Sequence, residues 1–170
     1  MYYLLILAVG VERLIELVIS KRHAKWALAN GGREHGRSHY PYMVAIHTAL
    51  LIGCAVEVWA LDRPFLPWLG WPMLAVVVLS QGLRYWCIVT LGKRWNTLVI
   101  VLPGVPLVDR GPYRFLKHPN YVAVVAEGIA LPLVHSAWIT ALLFTLANAA
   151  VLAVRISVEN TALRAAQANV

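Results

Sequence analysis

Charge is what this sequence has least of. Asp, Glu, Lys and Arg together make up 14% of its 170 residues, where a soluble domain carries roughly 25%. Hydrophobic residues fill 60% of the chain and the mean hydropathy is +0.66. This excludes an ordinary soluble globular domain and implies a single membrane domain over residues 1–170. Acidic residues are scarcer than basic ones, 8 against 15, for a net charge of +7. The basic residues fall in short loops between apolar runs, the pattern of a membrane topology signal rather than a nucleic-acid surface. The expected surroundings are therefore membrane lipid, with no nucleic-acid partner. Cysteine is nearly absent: Cys54 and Cys87 each sit inside an apolar run, without a CxxC or a ligand spacing, and read as small core residues. The start of the chain lacks a basic n-region and a small-residue cleavage site. Glu12, Arg13 and Glu16 interrupt its apolar run, which reads as a retained membrane helix.

What is abundant is long apolar sequence. Runs at about 2–20, 41–61, 71–91 and 136–154 span or nearly span a bilayer. A fifth, at about 119–134, rises only about 24 Å against a hydrocarbon core of about 30 Å. The expected fold class is an all-α integral membrane protein of about five transmembrane helices. The tight His135–Ser136–Ala137 connection makes the last two a short antiparallel hairpin. Residues 1–91 hold three N-terminal helices and residues 92–170 a long loop plus the hairpin. The 21–40 and 92–118 loops are rich in Lys and Arg, whereas 62–70 carries only Arg63 beside Asp62 and 135–137 carries none. The positive-inside rule then puts the N-terminus outside and the C-terminus in the cytoplasm. Tyr2, Tyr3, Trp59, Trp68, Trp71 and Trp138 fall at the outer ends, where amphipathic aromatics prefer to sit.

Against this apolar background one stretch stands out. Gly111–Tyr121, GPYRFLKHPNY, gathers Arg114, Lys117, His118, Asn120 and two tyrosines. Polar groups without partners cost several kcal/mol in hydrocarbon, so such a cluster belongs at a water boundary or in a site. Pro119 predicts the first turn of a helix, with His118 extended before it. The exposed N–H groups of that helix start suit a carboxylate or phosphate. Interfacial anchoring by Arg, Lys and Tyr is the alternative. A second polar patch, Arg155 and Glu159, is spaced i,i+4 at the far end of the hairpin. It reads either as a simple helix-end ion pair or as an anion-orienting Arg with a base. The predicted topology brings the two patches to the same membrane face. The 92–118 loop, with Gly and Pro at six positions and the apolar run Leu98–Leu102 in its middle, is expected to pack at the interface over them.

GPYRFLKHPNY, an apolar hairpin and then RISVENTAL resemble the isoprenylcysteine carboxyl methyltransferase family over about residues 92–164. The N-terminal VERLIELVISKRH and GGREHGRSHYPYMVAIH resemble the small bacterial branch linked to alkylresorcinols and alkylpyrones. The resemblance implies S-adenosyl-L-methionine as methyl donor, bound at the cytoplasmic end of the hairpin. His118, Pro119 and Tyr121 would hold the donor, and Tyr113 and Arg114 would shape its approach. Arg155 and Glu159 would sit by the transferring methyl and the acceptor. The implied reaction is O-methylation of a carboxylate, phenol or enol on an isoprenoid or alkyl-polyketide lipid, in a bacterial inner membrane. Two departures stand out. Glu159–Asn160 replaces a frequent pair of glutamates, and Ala123 stands where Gly often follows.

Other ionisable groups lie within the apolar runs: Glu12, Arg13, Glu16, Glu57, Arg84 and Glu127. They read as structural pairs locking the bundle, with Glu127 also a candidate for the acceptor cavity. His35 and His39 have a helical metal spacing, but Gly36 and Pro41 argue against a helix there and no third ligand is evident; no metal is expected. With His47 they could flank the site. Two competing readings remain. An NADPH-dependent sterol-type membrane reductase also carries His-Pro-Asn-Tyr, but typically followed by an aromatic, Gly and Glu, where Val122, Ala123 and Val124 stand here. A non-enzymatic helical bundle would use Glu12, Glu57, Arg84 and His47 as a proton path or haem anchor.

Overall fold

A computed structural model describes residues 1–167. Each of the five apolar runs forms a helix: α1 (Tyr2–Ala29), α2 (Tyr40–Ala60), α3 (Pro67–Leu91), α4 (Pro119–Leu133) and α5 (Trp138–Gln167). Proline marks three of the starts, in the first turns of α2, α3 and α4. There its missing N–H costs no helical bond. Gly92 ends α3 at φ 53° and ψ −128°, a conformation that only glycine adopts without strain. Helix α1 runs nine residues beyond its apolar stretch, because the Ala, Lys, Trp and Leu that follow are compatible with helix and nothing interrupts them before Asn30.

Among the described residues three helical stretches are long and apolar enough to cross a membrane: Arg37–Ala60, Pro67–Arg94 and Trp138–Ala166. Helix α1 has the length but carries Glu12, Arg13 and Glu16 at its centre, and α4, with 15 residues, is short. The all-α expectation needs one correction. Arg33–His35 (β1) and Val99–Val101 (β2) pair antiparallel, with Glu34 opposite Ile100. The β-branched Val99–Val101 run alternates, burying Val99 and Val101, as a half-covered strand does. The ribbon joins the two basic loops. Two further ties fix the second loop to α1: the Thr97 N–H donates to Ser20 Oγ at 2.8 Å, and His23 Nδ1 meets the Trp95 carbonyl at 2.7 Å.

Most charged groups inside the bundle are paired. Glu57 of α2 caps α5, accepting from the Ile139 N–H at 3.2 Å and from the Thr140 N–H and hydroxyl at 2.7 and 2.8 Å. Arg63 neutralises it at 2.9 Å. This satisfies N–H groups that a helix start otherwise leaves open. A second cluster links α1, α3 and α4. Arg84 meets Glu127 at 2.6 Å and Glu16 at 3.7 Å; Arg13 meets Glu16 at 2.7 Å and Glu127 at 3.7 Å. Gln81 accepts from Arg13 and donates to Glu12.

The hairpin packs tightly at one point. A Cβ on Gly128 of α4 would lie 1.9 Å from Cε1 of Phe144 on α5. Phe144 is buried and stands edge-on to His47, ring centroids 5.3 Å apart, so it has no room to swing away. Gly128→Ala is therefore expected to destabilise the protein by about 1–3 kcal/mol. The readout is the midpoint of detergent or thermal unfolding. Phe144→Leu in the same chain is expected to recover part of the loss.

Candidate functional site

His118 occupies the N-cap of α4 at φ −133° and ψ 63°, outside the helical region that a following proline disfavours but short of the fully extended conformation expected. One turn on, Tyr121 lies beneath it with the rings stacked at 5.2 Å. Helix α5 runs back past them and presents Arg155, Glu159 and Asn160. The Tyr121 hydroxyl donates to Glu159 Oε2 and accepts from Arg155 Nε at 2.8 Å. The Arg155 guanidinium also lies 5.6 Å from the centre of the Tyr121 ring. His118 Nε2 meets Asn160 Oδ1 at 3.2 Å, and its Nδ1 is 3.8 Å from Glu159 Oε1.

Arg155 and Glu159 therefore do not form the simple ion pair that their spacing allows. Tyr121 stands between them. Among the described residues no carboxylate pairs with Arg155, which is buried and has only the Tyr121 hydroxyl and Met43 Sδ, at 3.2 Å, as hydrogen-bond partners. A buried guanidinium without a counter-charge is costly and favours an anion beside it.

Two cavities meet at this cluster. One, of about 110 Å³, is the more polar of the two and is lined by Tyr113, His118, Asn120, Tyr121, Arg155 and Glu159, with β2 and Arg94 to Asn96 on the other side. The second, of about 470 Å³, is mostly apolar and runs between α1, α2 and α5, from Leu7 and Ile52 to Thr97 and Arg155. Trp95, Asn96, Asn120, Tyr121 and Arg155 line both. Trp95 Nε1, Asn96 Oδ1 and Asn120 Oδ1 are buried without a protein partner. Buried polar atoms of this kind call for a partner that the chain itself does not supply. Burial raises the Tyr113 phenol well above its ordinary pKa, with the Cys87 thiol beside it and the Glu159 carboxylate adding to the effect. Tyr113 is thus a neutral donor in the polar cavity.

The remaining predicted residues fall in different places. Pro119 is buried as the first residue of α4 and contributes backbone geometry. Arg114 is exposed, 6.0 Å over the Phe115 ring, and lines neither cavity. Glu127 belongs to the Arg84 cluster and lines a separate small void, while Arg13, Glu16 and Arg84 reach the large cavity. His39 is buried beside Gly36, and His47 lines the large cavity. Among the described residues no three His, Cys, Asp or Glu could hold a metal.

Sequence reasoning passed over Trp95, Asn96, Met43 and Asn148, and took Asn160 only as a departure from a glutamate pair. Asn148 had a signal, as the lone carboxamide between Thr145 and Arg155 in an otherwise apolar stretch of α5. Trp95 and Asn96 had none, because the contact between the two loops becomes visible only through the β1–β2 register.

Comparison with known proteins agrees with this architecture. The sequence model of the isoprenylcysteine carboxyl methyltransferase (ICMT) family matches residues 73–165, which include α3 from Met73, the loop, α4 and α5 through Arg155 and Glu159. The chain is 40% identical to the uncharacterized protein YpbQ of Bacillus subtilis (strain 168) over 166 residues, 96% of this chain and 97% of the relative. It is 27% identical to an uncharacterized protein of Haemophilus influenzae (strain ATCC 51907 / DSM 11121 / KW20 / Rd) over 154 residues, 89% of this chain and 88% of the relative. A match over more than half of the chain, containing the paired ends of α4 and α5, shows that the protein belongs to the isoprenylcysteine carboxyl methyltransferase family, a family of membrane methyltransferases.

Proposed function

We propose that the protein is an S-adenosyl-L-methionine-dependent O-methyltransferase acting on a lipophilic acceptor at the cytoplasmic face of a bacterial inner membrane. In this reading all five helices cross or enter the bilayer, with the N-terminus outside. The observation that carries it is the meeting of a polar and an apolar cavity at Tyr121 and Arg155. A two-substrate reaction between a polar donor and a greasy acceptor needs such a junction.

The polar cavity suits the donor. Its unpartnered carboxamide oxygens and indole N–H can meet a polar amino-acid or nucleoside group, and His118 and Tyr113 add donors. When bound, S-adenosyl-L-methionine supplies an electrophilic methyl group on a sulfonium. Arg155, lacking a carboxylate partner, holds and stabilises the acceptor oxyanion. Glu159 takes the proton from a phenol or enol acceptor; a carboxylate acceptor needs no base. The apolar walls keep water away, which favours a reaction in which opposite charges are neutralised. The acceptor's tail lies in the larger cavity between α1 and α2, whose Leu7, Val11, Leu14, Val44 and Ile52 are exposed on the outside of the bundle. An isoprenoid or alkyl-polyketide lipid has that form.

Titrating the purified protein with S-adenosyl-L-methionine and with NADPH tests the reading. The expected result is saturable binding of S-adenosyl-L-methionine, weakened about tenfold or more in His118→Ala, which loses the ring stack on Tyr121 and the link to Asn160. Preferential binding of NADPH would overturn it in favour of a reductase.

A further inference from the structure

The large cavity is apolar, yet its wall is polar at a second place, deeper than Arg155. Asn148 of α5 is 4% exposed and lines the cavity. Among the described residues its carboxamide has no hydrogen-bond partner. An amide with no protein partner that faces a mostly apolar cavity is poorly explained as a packing residue.

His47 is beside it. Asn148 is one turn along α5 from Phe144, and the Phe144 ring meets the His47 ring edge-on at 5.3 Å. His47 Nδ1 lies 2.8 Å from the Met43 carbonyl. A carbonyl only accepts, so Nδ1 carries the proton and Nε2 of the neutral ring presents a lone pair. His47 also lines the cavity. Together the two side chains offer an acceptor, His47 Nε2, and a donor, the Asn148 amide. A hydroxyl, donating to His47 Nε2 and accepting from the Asn148 amide, satisfies both at a single atom.

The position is informative. Asn148 and Arg155 are seven residues apart on one face of α5, about 10 Å of helical rise. Val151 and Leu152 line the wall between them. On the opposite wall are Arg13, Glu16 and Arg84, already engaged with one another and with Glu127.

We propose that Asn148 and His47 form a second polar subsite that binds a hydroxyl of the acceptor, placed between the methylated oxygen and the hydrocarbon tail and within about 10 Å of that oxygen. The subsite selects acceptors that carry two polar functions over lipids with a single polar head. It rests on the reading of the large cavity as the acceptor site, and so deepens that reading.

The test compares two probes: a long-chain phenol with a secondary hydroxyl on the chain close to the ring, and the same phenol without that hydroxyl. Affinities are measured on the full protein in lipid nanodiscs, as a binding ratio that does not depend on turnover. Wild type is expected to favour the hydroxylated probe by about tenfold or more, since a site with unpaired polar groups rejects the analogue that cannot satisfy them. Asn148→Leu is expected to bring the ratio close to one, and His47→Phe to reduce it. A wild-type ratio near one, or a preference unchanged in both variants, overturns the proposal. Binding of S-adenosyl-L-methionine to wild type in the same samples reports separately on the methyltransferase reading. Loss of that binding with the hydroxyl preference intact would sink the reaction and leave the subsite standing.

Discussion

Arg155→Ala is expected to lower kcat/KM for methyl transfer by about 10²–10³, the usual cost of losing one oriented charge donor at a developing or resident oxyanion. The geometry supports an effect of this size. Arg155 is buried, and its ion-pair partner is missing among the described residues, so its charge is available to the acceptor rather than used by the fold. Arg155→Lys keeps the charge but loses the planar fork that holds Tyr121 at 2.8 Å, and is expected to recover only part of the rate. Glu159→Gln separates the chemical classes of acceptor. With a phenol or enol, loss of the base is expected to cost about 10²–10⁴ and to change the pH–rate profile; with a carboxylate, the rate is expected to be largely retained. Steady-state kinetics with a labelled methyl donor measure all three variants. An Arg155→Ala variant with near-wild-type kcat/KM would remove Arg155 from the site.

The helices were legible because membrane segments leave a strong periodless signal, long apolar runs bounded by charge. All five runs became helices, and proline and glycine marked several of their ends. The pairing of α4 with α5 was legible too, because so short a connection leaves two helices no option but to lie side by side. That is why His118 and Tyr121 meet Arg155, Glu159 and Asn160 across about forty residues of sequence. What was not legible arises from contacts between segments that share no periodicity. The short β1–β2 ribbon has three residues a side, too few to announce themselves as strands, and with the ties from Ser20 and His23 it delivers Trp95 and Asn96 to the site. The role of Tyr121 between Arg155 and Glu159 was hidden for a different reason. Spacing of i,i+4 on one helix is the ordinary signature of an ion pair, and only the position of a third side chain, on another helix, decides otherwise. The meaning of Asn160 was likewise unreadable until His118 was seen opposite it. A residue that looked like a lost carboxylate acts as a hydrogen-bond partner for the imidazole.

Arg84→Met is expected to be the most destabilising single change in the bundle. Arg84 is 5% exposed; its guanidinium is 2.6 Å from Glu127 and 3.7 Å from Glu16, and both carboxylates are buried. The cluster already holds three carboxylates, Glu12, Glu16 and Glu127, against two guanidinium groups, Arg13 and Arg84. Without Arg84, Glu16 and Glu127 share Arg13 alone, which lies 3.7 Å from Glu127. Removing one member of a buried pair leaves an uncompensated charge and costs about 3–5 kcal/mol, whereas replacing both members with well-packed apolar groups is often neutral. Arg84→Met together with Glu127→Met is therefore expected to regain most of the stability that Arg84→Met loses, as read from unfolding midpoints in one detergent. The same cluster forms part of the wall of the large cavity, through Arg13, Glu16 and Arg84. An Arg84→Met protein within about 1 kcal/mol of wild type would mean that water reaches these groups through the cavity or that one of the carboxylates takes up a proton. Water there would have to be displaced by the acceptor, and the apolar character of the cavity would then no longer account alone for its affinity for a lipid tail.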